Sequence, residues 1–205
     1  MKSQAVFSAA FVGVYFATAS IAQDTVQNAS FVFNGQQKNI TQSLFADTNK
    51  IGALYQLPSD CQGLCLSPHQ AADGVATVVE NEVVDFLVSN VAANSGLIID
   101  SRKVQDHLRG HLPASINVPA GLINPTNPLL PDILRALGAR DVGGQLNFDS
   151  ALPLIVYDGG PTQTDATTLI RALLSQGYPS SAIRYYRGGM LVWATLGLTT
   201  EGTPS

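Results

Sequence analysis

One stretch constrains this chain more than any other. Pro153 delivers four uninterrupted apolar residues, Leu154-Ile155-Val156-Tyr157, and the run breaks at Asp158-Gly159-Gly160-Pro161. Ala166, Leu169, Ile170, Leu173 and Leu174 then fall on one helical face, and Gly177 follows Gln176 as a stop signal. A short apolar run bounded by Pro and Gly reads as a strand buried on both faces, and the spacing that follows reads as an amphipathic helix. Strand, glycine-rich turn and helix together form a building block of parallel α/β sheets.

The same alternation extends in both directions. Glu80–Ser89 carries Val83, Val84, Leu87 and Val88 at helical spacing, and Leu97-Ile98-Ile99 predicts a buried strand running into Asp100. A second strand is expected over Ser115–Val118, a helix over Leu129–Leu137, a strand over Ile183–Tyr186 and a last amphipathic helix over Met190–Leu196. The fold class expected is therefore α/β, a small parallel sheet with helices on both faces. In such sheets the working crevice lies at the carboxyl ends of the strands, where both Asp100 and Asp158 fall.

The amino-terminal part reads differently. Ala5–Ala19 is apolar apart from Ser, Gly and Thr, follows a single Lys2, and leads to Ser20-Ile21-Ala22. These features predict a removable signal peptide over residues 1–22, cut near Ala22-Gln23, and a periplasmic or secreted protein with no membrane span afterwards. Residues 23–74 are polar and weakly patterned, an extension expected to pack on the domain of residues 75–200, with 201–205 as a tail. The chain has 11 Lys and Arg against 15 Asp and Glu, which leaves nothing to attract nucleic acid.

Only two cysteines occur, Cys61 and Cys65, in the segment Cys61-Gln62-Gly63-Leu64-Cys65. In an oxidising compartment they are expected to close a local disulfide ring, with a redox or sulfur-carrying pair as the alternative. The spacing is not the two-residue redox spacing. His69 is the only further ligand nearby, too few for a tetrahedral metal site, so no metal is expected.

A glycine-rich turn into a helix start gathers backbone N–H groups around one point, which suits an anion. Gly159, Gly160, Thr162, Gln163 and Thr164 are the candidate binding residues, joined by Arg102 and Arg187 at other strand ends. The loop lacks the Lys of a P-loop and the glycine spacing of a dinucleotide fold, so no nucleotide or other cofactor is expected.

From Leu97 to Leu198, about half the chain, the sequence resembles a rhodanese-like domain. Leu97-Ile98-Ile99-Asp100-Ser101-Arg102 resembles the family's strand ending in Asp-x-Arg. Gly110-His111-Leu112-Pro113-Ala114-Ser115-Ile116-Asn117-Val118-Pro119 is similar to its Gly-His-Ile-Pro-Gly-Ala-x-Asn-x-Pro pattern, with Ala114 in the usual glycine place. Gly177-Tyr178 and Gly188-Gly189-Met190-Leu191-Val192-Trp193 resemble its closing signatures.

The resemblance implies that the strand Leu154–Tyr157 should end in a cysteine carrying a persulfide. Asp158 stands there instead. A carboxylate has no sulfur to accept a sulfane atom and repels thiosulfate. Between Asp158 and Ile170 there is also no Arg or Lys. Ordinary sulfurtransferase chemistry is therefore not expected.

Three readings of Asp158 stay open. Its carboxylate can occupy the loop's own anion site, accepting N–H groups from Gly160 onward and capping the helix near Thr164. The crevice can bind a protein partner or a small anionic or sulfur-containing ligand without chemistry. Or Asp158, Asp165 and Asp100 can serve hydrolysis or a cation. The alternative enzyme is a sulfurtransferase or thiol-redox protein using Cys61 or Cys65 in place of the missing nucleophile. Asp100 and Arg102 are expected to tie loops together, His111 to anchor its turn, and Trp193, Tyr185 and Tyr186 to be core or core edge.

Overall fold

The structure, a computed structural model, describes residues 28–43, 47–55, 59 and 65–203. The expected signal peptide and Cys61 lie outside the described residues.

Two antiparallel strands, β1 (Asn28–Phe33) and β2 (Gln36–Thr41), form a hairpin, and α1 (Thr48–Leu54) follows, its Asp47 cap accepting the Asn49 and Lys50 amides. Next come β3 (Ala76–Val78), α2 (Glu80–Phe86), β4 (Leu97–Asp100), α3 (Val104–Arg109), β5 (Ile116–Asn117) and α4 (Leu130–Ala136). A second hairpin, β6 (Arg140–Val142) with β7 (Gln145–Asn147), precedes β8 (Leu154–Tyr157), α5 (Asp165–Ser175), β9 (Ile183–Tyr186) and α6 (Gly189–Thr195). The central sheet is all parallel, in the order β3-β9-β8-β4-β5.

All four β8 residues are fully buried, and alternation divides them between the two faces of the sheet. Ile155 and Tyr157 face a core with Val83, Phe86, Leu87 and Trp193; Leu154 and Val156 face another with Leu134, Leu169, Ile170 and Leu173. An uninterrupted apolar run is what a strand covered by helices on both faces requires.

Differences from the sequence reading have local causes. The helix expected over Glu80–Ser89 is α-helical only to Phe86 and widens into a π turn over Leu87–Val91, which keeps Leu87 and Val91 buried. β5 is just Ile116–Asn117: the Ser115 N–H turns back to the Leu112 carbonyl, and the Val118 N–H makes the last bond to β4, at the Asp100 carbonyl, before Pro119. The segment before residue 75 is more ordered than its patterning suggests. Phe31, Ile40 and Leu54 are buried in the same core as Trp193, and the Thr41 and Thr199 hydroxyls hydrogen-bond at 3.0 Å. At the other end, Glu201 pairs with Lys38 at 2.7 Å and accepts the Ala114 N–H, holding the chain end to the hairpin.

Ala114, in the place where the resembling motif has glycine, has φ +59°. The backbone there is left-handed, which explains the usual glycine. Among the described residues no helix is long and apolar enough to cross a membrane.

Candidate functional site

Asp158 follows β8 at the carboxyl end of the sheet's middle strand and is fully buried. Its Oδ1 accepts the Gly160 N–H at 2.9 Å and its Oδ2 the Ala166 N–H at 3.0 Å. The second bond caps α5: Thr164, at the cap position, contributes no side-chain hydrogen bond. The Gly159 N–H is taken by Gln163 Oε1 at 3.1 Å, and the Gln163 N–H by the Gly160 carbonyl at 2.9 Å. Four amides of the loop and helix start are thus satisfied from within. Burial raises the Asp158 carboxyl to about 6, against the pull of the Ala166 and Gly160 hydrogen bonds, with Asp165 and Asp100 adding to the rise.

The loop is held from below by α6. The Met190 N–H donates to the Asp158 carbonyl at 3.0 Å and the Leu191 N–H to the Gly159 carbonyl at 2.9 Å. This approach is so close that a Cβ on Gly189, whose φ is +55°, would lie 2.4 Å from the Asp158 carbonyl oxygen. Gly189 is therefore a packing requirement of the loop, whereas a Cβ on Gly188 would meet the Glu80 and Tyr186 side chains.

At the neighbouring strand end, Arg102 Nε and Nη2 donate to Asp100 Oδ1 and Oδ2 at 2.9 and 2.6 Å, and Nη2 also to the Gly110 carbonyl at 2.7 Å. Both residues are buried. The His107 Nδ1 lies 3.0 Å from Asp100 Oδ2. Burial would raise the Asp100 carboxyl, but its His107 and Arg102 hydrogen bonds outweigh that and hold it below its usual value. Asn117 Nδ2 staples the same turn through the Asp100 and Arg102 carbonyls, at 3.0 and 2.9 Å. Asp100 and Arg102 thus knit loops together. His111 stacks on His107 with ring centroids 3.8 Å apart, and its Nδ1 sits 2.8 Å from the His107 carbonyl. Burial lowers its pKa.

Arg187 Nε and Nη2 donate to the Ser67 carbonyl at 3.2 and 3.0 Å. Ser67 in turn donates its N–H to the Pro161 carbonyl at 2.7 Å, and its hydroxyl bonds Tyr185. Tyr55 hydrogen-bonds Thr162. Two amino-terminal segments therefore grip the loop. Sequence patterning marks neither Tyr55 nor Ser67, which come from aperiodic segments, and nothing in the spacing marks His107. Cys65 is half-buried and there is no free cysteine among the described residues.

Of the candidate binding residues, Arg102 and Gln163 line a cleft of about 290 Å³ beside the loop. Its walls are the end of α1 (Ala53, Leu54, Tyr55) and α3 with Lys103. Gly159 and Gly160 turn their N–H groups onto their own chain, and Thr162 is used by Tyr55. Trp193, Tyr185 and Tyr186 are fully buried, and Trp193 Nε1 donates to the Thr199 carbonyl at 2.8 Å.

The sequence model of the Rhodanese-like domain family matches residues 84–196, more than half the chain. The chain belongs to the rhodanese-like domain family. No curated protein matches the sequence significantly. Among solved structures, the rhodanese-like chain is similar to a protein of Bacillus halodurans, with 18% identity over 63% of this chain and 78% of that one, TM-score 0.48. A Rhodanese-like domain from Anabaena sp. has 17% identity over 62% and 80%, TM-score 0.43. An As-Sb reductase from Leishmania major has 20% identity over 58% and 76%, TM-score 0.40.

Proposed function

We propose that this rhodanese-like domain lacks sulfurtransferase activity and acts as a binding or accessory module. One observation carries the reading: the Asp158 carboxylate accepts the Gly160 and Ala166 N–H groups, so the residue in the nucleophile's place fills the loop's anion site with the protein's own charge. A persulfide-forming site needs a thiolate there and free donors around it. Asp158 supplies no sulfur, and it spends the donors on itself. The decisive assay is transfer of sulfur from thiosulfate to cyanide by the purified chain. The expected rate equals that of a denatured control; a clear excess over the control overturns the reading.

The partner is proposed as an unidentified protein or a small anionic or sulfur-containing ligand, met outside the cytoplasm. The export part rests on the apolar stretch Ala5–Ala19 and the small residues at Ser20 and Ala22. Amino-terminal sequencing of the protein from its native host checks it, with Gln23 expected as the first residue.

A second reading, a thiol enzyme using Cys61 or Cys65, is favoured by a different observation. Ser67, two residues beyond Cys65, bonds the Pro161 carbonyl of the loop at 2.7 Å, which keeps Cys65 near the loop. The binding-module reading instead has Cys61 and Cys65 closed as a disulfide ring that fixes the segment between Tyr55 and Ser67. Intact mass measurement after thiosulfate treatment separates the two. Gain of one sulfur atom, lost in Cys61→Ser or Cys65→Ser, supports the thiol enzyme; an unchanged mass supports the ring.

A further inference from the structure

We propose that the cleft between α1 and α3 binds a small molecule bearing an oxyanion group, seated at Lys103 beside Arg102. The inference rests on the reading of the loop as filled by Asp158, and it names the ligand class that reading left open. It also moves the binding place, since the loop amides that would ordinarily hold an anion are taken by Asp158 and Gln163.

The argument starts from an unanswered donor. Arg102 directs Nε and Nη2 to Asp100 and Gly110, whereas Nη1 is the only buried side-chain nitrogen or oxygen among the described residues without a hydrogen-bond partner. Buried donors on a charged group are rarely left unanswered, and one that is calls for an acceptor from outside. Arg102 lines the cleft, and the space there is about 290 Å³, near the lower limit for small-molecule sites. A compact ligand fits; a dinucleotide or a folded partner does not.

The charges choose the ligand's sign. Asp100 neutralises part of Arg102, and Asp106 pairs with Arg109 at 2.8 Å on the rim. Lys103 is exposed, lines the cleft, and makes no ion pair with any described residue. The carboxyl of Asp165 interacts with Lys103 electrostatically, so an incoming anion competes with it. An oxyanion pairs with the ammonium through charge-assisted hydrogen bonds and is drawn by the Arg102 charge beside it, which a neutral ligand is not. The wall opposite is preformed, because Tyr55 is tied to Thr162. Competition from Asp165 makes the site a weak one, with half-saturation expected in the millimolar range.

The test is a titration of the purified full chain with inorganic phosphate, sulfate, thiosulfate and acetate, followed by amide and Arg102 Nε–H resonances, with sodium chloride at matched ionic strength. Saturable shifts at Arg102, Lys103 and Gln163 are expected from at least one oxyanion and not from chloride, and the comparison among the four tells which oxyanion chemistry fits. Lys103→Ala should weaken binding about tenfold with an unchanged melting temperature, and Lys103→Arg should restore it. Shifts that follow ionic strength alone, or survive Lys103→Ala undiminished, overturn the proposal and leave the filled-loop reading standing. Saturable shifts centred on the Gly159, Gly160 and Ala166 amides overturn both.

Discussion

Asp158 Oδ2 accepts the Ala166 N–H at 3.0 Å, so a residue at the end of β8 caps a helix that starts seven positions later. The capping carboxyl sits in full burial, which raises it to about 6. Asp158 binds its proton more tightly in the folded chain than in the unfolded one, where the ordinary value is 3.8. The stability this linkage adds is fully present below that ordinary value and is lost as pH rises through the folded value. Asp158 should therefore make the fold more stable near pH 4.5 than near pH 7, by about 2 kcal/mol. Denaturant titration of the native chain and of Asp158→Asn at both pH values checks this. The difference between the two proteins should change with pH in that sense; parallel behaviour would show that the carboxyl is not raised.

The strand Leu154–Tyr157 is legible to the residue because burial on both faces demands an unbroken apolar run, and its short length between Pro153 and the Asp158-Gly159-Gly160 turn marks it as a strand; Ile183–Tyr186 is legible from its β-branched and aromatic residues, although Arg184 breaks its apolar run and is exposed. The Asp158 contact to Gly160 was equally legible, since a carboxylate at the head of a glycine turn has its nearest donors two residues on. What stayed hidden depends on long-range contacts. The hairpin of β1 and β2 is half solvent-exposed: Ala29, Phe31 and Phe33 alternate on the inner face of β1, but Ile40 is the one buried residue of β2, and a single short alternation does not announce a paired strand. β3 has a single buried residue, Val78, and exists because β9 offers it a parallel edge. Tyr55, Ser67 and His107 meet the site through contacts between distant segments or across a turn, for which sequence spacing carries no signal. The Arg187 contact is hidden for the same reason: its acceptor, the Ser67 carbonyl, is a backbone group, and backbone carbonyls leave no mark in a sequence.

Removing Arg102 should expose the cost of an uncompensated charge. Asp100 is fully buried, and Arg102 supplies two of its side-chain hydrogen bonds. In Arg102→Met the apolar stem is kept while the guanidinium is lost, and His107 remains the only other side-chain partner seen for Asp100 among the described residues. Breaking one side of a buried pair costs about 3–5 kcal/mol. Chemical denaturation should show a loss of that size, and adding Asp100→Asn to the variant should recover part of it. If the double variant is as unstable as the sum of the single ones, the pair is not coupled as described.

The contact between α6 and the loop yields a steric prediction. A Cβ at position 189 would lie 2.4 Å from the Asp158 carbonyl oxygen and 2.7 Å from the Gly160 nitrogen, both backbone atoms that cannot swing aside. The left-handed φ of +55° adds strain for any residue with a side chain. Gly189→Ala should destabilise the fold by about 3 kcal/mol, as overpacking and backbone strain combine. Ala194→Gly, a helix-interior change on the same element, should cost only about 1 kcal/mol. Comparable losses in the two variants would mean that the loop yields to the added methyl.

Tyr178, beside Gly177 in the family signature, tests whether that signature serves the scaffold. Its hydroxyl donates to the Leu137 carbonyl at 2.9 Å and to the Leu152 carbonyl at 2.5 Å, joining the end of α4 to the segment entering β8. The ring is almost fully buried and packs edge-on against Phe148 at 5.6 Å between centroids. Burial drives the phenol to a pKa above the usual tyrosine range, so it stays a neutral donor at every physiological pH. Tyr178→Phe keeps the ring and removes the donor; the Leu137 carbonyl keeps the Leu152 N–H at 3.0 Å, and the part-buried Leu152 carbonyl loses the hydroxyl. An unanswered buried polar group costs about 1–3 kcal/mol, and the expected loss lies in that range with no dependence on pH between 5 and 8. Oxyanion binding at Lys103 should be unchanged in the variant, because the bonds Tyr178 makes lie at the strand's amino end, away from the crevice. A variant with native stability would show that water replaces the hydroxyl there, whereas weakened binding would mean that the seam between α4 and β8 reaches the loop.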